Sequence, residues 1–135
     1  MKKKVSVLVV DGEPDIRALL KEFLVPLGFE VFETGLPRQA LLFITEYDFS
    51  LVLFEYDLPG TTGPRFHEEA CNVRPALRNR FIFMTCGLTD ASTLMGCRYL
   101  AKPFDFSQLD AAIRAVLQQA GDSPKASAIS HRAFL

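Results

Sequence analysis

The chain alternates between two hydrophobic periods. Val5-Ser6-Val7-Leu8-Val9-Val10 is a short β-branched run, the pattern of a strand buried on both faces. Beyond Pro14, which suits a first helical turn, Ile16, Leu19, Leu20, Phe23, Leu24 and Leu27 recur at helical spacing until Gly28 supplies a stop. The same alternation then repeats. Residues 29–33 read as a second strand, and 37–46 as a helix with Ala40, Leu41 and Ile44 inward. Residues 49–54 form a third buried strand, which ends at Glu55 before a Pro59-Gly60 turn. A third helix is predicted over 62–74, with a thin apolar face of Phe66, Ala70 and Val73. Residues 80–85 read as strand four and 98–101 as a short strand five. A last helix over 105–119 turns Phe106, Leu109, Ile113, Val116 and Leu117 inward. From residue 120 onward Gly, Ser, Pro and Ala accumulate and periodicity vanishes, so the chain divides into one domain over 1–119 and a flexible tail over 120–135.

Strand-helix alternation of this kind predicts an α/β fold with a doubly wound parallel sheet and helices on both faces. Such sheets place their sites at the carboxyl ends of the strands, where the strand order reverses. Four polar residues end the buried strands: Asp11 after strand one, Glu55 after strand three, Thr85 after strand four and Lys102 after strand five. On one rim, this group has the parts to take a phosphoryl on a carboxylate while the hydroxyl and ammonium stabilise its oxygens. It is equally an ion-pair network in which Lys102 neutralises Asp11 and Glu55.

Composition narrows the field. Over 135 residues, 49% hydrophobic and 23% charged content is that of a globular domain rather than a disordered chain. Lys plus Arg number 15 against 16 Asp plus Glu, so no cationic excess exists to hold a nucleic-acid backbone by counterion release. No apolar run reaches a membrane span, and the acidic Asp11-Gly12-Glu13 cuts short the only stretch resembling a signal peptide. Cys71, Cys86 and Cys97 show neither paired nor metal-type spacing, which argues against a disulfide framework and a zinc site and fits a cytoplasmic protein. His67 and His131 have no ligand partners near them in sequence and are expected at the surface. Lys2-Lys3-Lys4 reads as a solvated run, Glu13 as an acid favouring the helix start rather than a metal ligand, and Cys86 as a small spacer beside Thr85.

The strings VLVVDGEPDIRALLKEFL, LVLFEYDLPGTTG, FIFMT and YLAKPFDFSQL, in that order, resemble the receiver domain of two-component response regulators. The resemblance runs over about residues 4–119 and implies a flavodoxin-like sheet of order 2-1-3-4-5. Receivers take a phosphoryl group from a histidine kinase onto an Asp ending strand three. They use Mg²⁺ held by an acidic pair after strand one, a Thr or Ser after strand four, and a Lys after strand five. Thr85 then matches the switch hydroxyl, Lys102 the lysine, Tyr99 the switch aromatic and Asp11 the first acid of the pair.

Three departures follow from the same comparison. Counting back from Pro59, the phosphoacceptor position holds Glu55. The second acid of the pair falls on Gly12. The interval from Thr85 to Lys102 is short, so the fourth helix is expected to be cropped and, with little to bury, to be the mobile element. A hard cation wants several anionic oxygens, so Mg²⁺ binding is expected to be weak, on Asp11, Glu55 and Asp57 if anywhere. The chain is expected to be a pseudo-receiver that signals through proteins: a histidine kinase, a phosphotransfer protein, another receiver or a downstream effector, with a homodimer compatible. Glu55 then either builds in an active-like state or belongs to a degenerate site held for stability. The alternative is a conventional phospho-accepting receiver using Asp57 or the Glu55 region. Glu55-Tyr56-Asp57 with Thr61 also resembles the Asp-x-Asp-x-Thr loop of haloacid-dehalogenase-type phosphatases, but the leading Asp and a cap are missing, so no enzyme activity is expected.

Overall fold

The computed structural model of the chain describes residues 4–87 and 96–119. Its elements follow one another as β1 (Ser6–Val10), α1 (Pro14–Leu24), β2 (Glu30–Thr34), α2 (Pro37–Glu46), β3 (Leu51–Glu55), α3 (Gly63–Val73), β4 (Phe81–Thr85), β5 (Arg98–Ala101) and α4 (Phe106–Gln119). All strand pairs are parallel and the order is β2-β1-β3-β4-β5, the topology expected from the sequence. The expected cropped fourth helix, its mobility and the tail over 120–135 with His131 lie outside the described residues.

The sheet is continuous because its three central strands have no polar side to show. Every residue of β1, β3 and β4 is buried. Alternate residues feed two cores. Val7, Val9, Leu51, Leu53, Ile82, Met84 and Leu100 pack beneath α1 and α4. Leu8, Val10, Val52, Phe54, Phe81 and Phe83 pack beneath α2 and α3. The second core is aromatic, with Phe54 stacked on Phe66 at a centroid distance of 4.3 Å. No helix among the described residues is long and apolar enough to cross a membrane.

Several local expectations change. The first helix gives way at Val25 to a 3₁₀ turn over Val25–Leu27, because Pro26 has no N–H to continue the α-helical ladder. Gly28 then closes the turn at φ 97°, a left-handed conformation glycine takes without steric cost. A second 3₁₀ turn, Pro75–Asn79, follows α3. On α3 the buried positions are Gly63, Phe66, His67, Ala70 and Cys71. This stripe at i, i+3, i+4, i+7 and i+8 leaves Val73 a quarter-turn off its centre, and Val73 is exposed rather than inward. His67, expected at the surface, is buried: one ring nitrogen, Nε2, lies 2.9 Å from the carbonyl oxygen of Arg78 and the ring meets Phe81 edge-on. The hydrogen bond meets the polar requirement of the imidazole and the aromatic floor meets the apolar one. Leu19, part of the predicted apolar period of α1, is also exposed, since Leu20 takes the inward position beside it.

Deleting an aromatic from the stacked core should show how much rests on it. Phe54→Ala is expected to cost about 3–5 kcal/mol by chemical denaturation, through lost transfer energy and the cavity left behind. Leu42→Ala, at an exposed position of α2, should stay within about 0.5 kcal/mol of wild type.

Candidate functional site

Strand parity brings the site together. Asp11 continues the alternation of Val7 and Val9, Glu55 that of Leu51 and Leu53, and Lys102 that of Leu100, so all three project to the face covered by α1 and α4. The strand order reverses between β1 and β3, and Asp11 and Glu55 stand at the carboxyl ends of those two strands. The site therefore lies at the topological switch point, where an open α/β sheet leaves a crevice.

Lys102 reaches from the edge strand to the centre of the sheet. Its Nζ lies 2.7 Å from Asp11 Oδ2 and 3.3 Å from Glu55 Oε2. The remaining carboxylate oxygens are also used. Asp11 Oδ1 accepts the backbone N–H of Glu13 at 2.8 Å, and Glu55 Oε1 accepts that of Gly12 at 2.9 Å. Asp11 is 0% exposed and Glu55 9%, so both acids depend on these partners. Burial works against the charge of Lys102. The hydrogen bond and charge of Asp11, followed by those of Glu55, outweigh it and hold the ammonium above the ordinary lysine range.

Glu13 joins the two buried acids. It occupies the N-cap position of α1 without capping through its side chain, and its Oε1 stands 3.9 Å from Lys102 Nζ. Ligand atoms of Asp11, Glu13 and Glu55 lie within 4.8 Å of one another. In donor type, three carboxylates suit a hard divalent cation. Asp57, included in the sequence-based metal set, is exposed on the turn after β3 and is not part of this group. The turn carries its side chain away, while the helix start carries Glu13 in.

The other expected residues fall at different distances from the carboxylates. Thr85 is buried and donates its hydroxyl to the Gly87 carbonyl at 3.4 Å, and its own carbonyl accepts the Lys102 N–H at 2.6 Å. Tyr99 is paired with Phe83 across β4 and β5 and is 54% exposed. Cys86 is exposed beside Thr85. Arg17 was not singled out by sequence, yet it braces the acidic loop: Nη1 donates to the Asp11 carbonyl at 2.7 Å, while Nε pairs with Glu33 of β2 at 2.8 Å. Gly35 lets it through, since a Cβ there would meet Arg17 Nη1 at 2.9 Å and the Asp11 carbonyl oxygen at 3.2 Å. A glycine just past β2, opposite an arginine one turn into α1, was the available signal.

Comparison with known proteins agrees with this geometry. Residues 7–114 match the response regulator receiver domain family, and the chain belongs to it. A probable chemotaxis protein CheY of Rhizobium etli is 30% identical over 120 residues, covering 84% of this chain and 93% of that protein. The phosphate regulon transcriptional regulatory protein PhoB of Pseudomonas aeruginosa is 27% identical over 121 residues, which span 86% of this chain but 53% of that longer protein. Among solved structures, the signal receiver domain of an HD domain-containing protein from Pseudomonas fluorescens Pf-5 superposes with a TM-score of 0.78 at 25% identity, covering 90% of this chain and all of that one.

Breaking the central pairing leaves two buried carboxylates uncompensated. Lys102→Met is expected to destabilise the fold by about 3–5 kcal/mol. Because Lys102 binds its proton more tightly when folded, its contribution is fully present below the unfolded lysine pKa of about 10.4 and is lost as pH rises through the folded value. Denaturant midpoints measured into the alkaline range should therefore converge for wild type and Lys102→Met. A gap that stays constant would show that the ammonium is not the source of the stability.

Proposed function

We propose that this receiver domain signals by binding other proteins and does not accept a phosphoryl group. The observation that carries the reading is the direct sharing of Lys102 between Asp11 and Glu55. A phosphoacceptor carboxylate must offer an oxygen as nucleophile, with a cation to neutralise the incoming phosphoryl. Glu55, at the acceptor position counted from Pro59, has both oxygens engaged by Lys102 and by the Gly12 N–H. Its longer side chain carries its charge toward the space a phosphoryl would fill. That charge imitates phospho-aspartate only in part, because phosphorylation supplies nearly two charges and three acceptors.

In this reading Glu55 is the phosphoacceptor equivalent, Asp11 and Lys102 hold it, and Thr85 and Tyr99 are the switch residues. Mg²⁺ would be held by Asp11, Glu13 and Glu55, where it would supply charge neutralisation, and it binds weakly because it competes with Lys102 for oxygens already in use. The module has no enzymatic activity of its own. It works in the cytoplasm, where free cysteines persist. Its partners are a histidine kinase, a phosphotransfer protein, another receiver or a downstream effector. The signalling unit is the domain over 1–119, with 120–135 as a tail.

A conventional receiver is the second reading, and the three-carboxylate cluster favours it, since Glu13 restores the anionic oxygen that Gly12 removes. Incubation with acetyl phosphate and Mg²⁺ separates the two. The intact mass is expected to stay unchanged; an acid-stable, alkali-labile adduct of one phosphoryl group would refute the proposal, and its position at Glu55 or Asp57 would identify the acceptor. Gly12→Asp is expected to strengthen Mg²⁺ binding, followed by backbone amide shifts near Asp11 and Glu55. A Cβ at residue 12 fits in ordinary contact, 3.5 Å from Glu55 Oε1 and 3.7 Å from Leu58. Saturation of the wild type well below millimolar Mg²⁺ would contradict weak binding.

A further inference from the structure

Between the first half of α1 and the turn that leads into α4 lies an open groove of about 570 Å³. Its apolar wall is made by Ile16, Leu19 and Leu20 of α1 together with Phe104 and Phe106. Leu19 is 47% exposed although it belongs to the apolar period of its helix. Phe106 is fixed in the wall by stacking on Phe23, with ring centroids 4.5 Å apart. A concave surface of this size, apolar with a few polar groups at its edge, has the build of a binding site.

The edge of the groove is anionic. Glu13 and Asp105 stand on it, and both are exposed. One Asp105 oxygen accepts the Gln108 N–H at 2.8 Å. Lys102, the one cation on the wall among the described residues, is already shared by Asp11 and Glu55 and stands 3.9 Å from Glu13. An occupant that complements this surface carries large apolar side chains and positive charge. The chain itself holds such a segment. Residues 120–128 contain no large apolar side chain, whereas Ile129, Phe134 and Leu135 fall within 129–135 beside His131 and Arg132, with no acid among them.

We propose that residues 129–135 occupy this groove of their own chain, with Phe134 and Leu135 against the wall and Arg132 at the carboxylates of Glu13 and Asp105. The reach is sufficient. From Phe106 to Gln119, α4 carries the chain about 20 Å away from the groove at about 1.5 Å per residue. Residues 120–128 extend to about 30 Å at most, and as a small-residue linker their r.m.s. span is about 17 Å. A linker whose r.m.s. length is close to the distance it covers holds its segment at an effective concentration near the millimolar range, so modest contacts suffice for occupancy. The groove shares Glu13 and Lys102 with the acidic crevice. The segment therefore stands at the mouth of the candidate site, whichever way phosphoryl transfer falls.

Cys86 also lines the groove and reports its occupancy. In the reduced full chain, iodoacetamide should modify Cys86 several-fold more slowly than in the Phe134→Ser/Leu135→Ser variant, by peptide mass analysis. Cys97, which precedes β5, should react equally in both. The backbone amides of Ile16, Leu20, Phe104 and Phe106 should shift in the same variant, while those of Leu51, Val52 and Leu53 stay in place. Arg132→Glu should move the same four amides and speed the alkylation of Cys86. None of the substituted residues belongs to either core, so the variants test the contact and not the fold. Equal alkylation of Cys86, or unmoved amides in the double variant, would each overturn the proposal. Differences that grow with protein concentration would overturn it too, by assigning the groove to the segment of a second copy. Amides that move with Phe134→Ser/Leu135→Ser but not with Arg132→Glu would overturn the pairing of Arg132 with Glu13 and Asp105.

Discussion

Lys102 is the point at which the sheet is tied across its width. Its backbone leaves the edge strand β5, where only Leu100 is buried, and its ammonium crosses β4 to meet Glu55 of β3 and Asp11 just past β1. Two carboxylates at 0% and 9% exposure are tolerable only because this one cation serves both, while the backbone N–H groups of Gly12 and Glu13 take up their other oxygens. The acidic loop is braced from the other side by Arg17, which joins the Asp11 carbonyl to Glu33 of β2. Charges on β1, β2, β3 and β5 thus form one network around the switch point of the fold.

The same satisfaction that makes the site tolerable limits its chemistry. A network in which every buried oxygen has a partner is rigid and stable, but a nucleophile or metal ligand must first give a partner up. The two apolar cores are made by strand interiors and helix faces, and neither counts Asp11 or Glu55 among its members. Membership of the receiver family and the fate of phosphoryl transfer therefore rest on different residues.

At the amino end of the sheet the polar groups are placed by a different constraint. The face under α3 is floored by Phe54, Phe81 and Phe83, and a histidine is accepted there only because the Arg78 carbonyl receives its N–H. The turn Pro75–Asn79 supplies that carbonyl. A short 3₁₀ segment with little periodicity of its own thus fixes the orientation of a buried imidazole.

The strands, the helices and the doubly wound class were legible because each central strand is an almost unbroken apolar run and each helix carries its own stripe, both properties of contiguous residues. The four strand-end residues were legible for the same reason, since a polar residue ending a buried strand can only stand at the rim. What joined them was not. The pairing of Lys102 with Asp11 spans 91 positions, and the engagement of Glu13, the exclusion of Asp57 and the bracing by Arg17 depend on how a turn and a helix start aim side chains. The burial of His67 and its contact with Cys71 depend on which face of α3 meets the sheet. Local periodicity reports how much a segment must bury. Only the assembled sheet, by setting strand order and register, decides which distant polar groups are buried together and must satisfy one another.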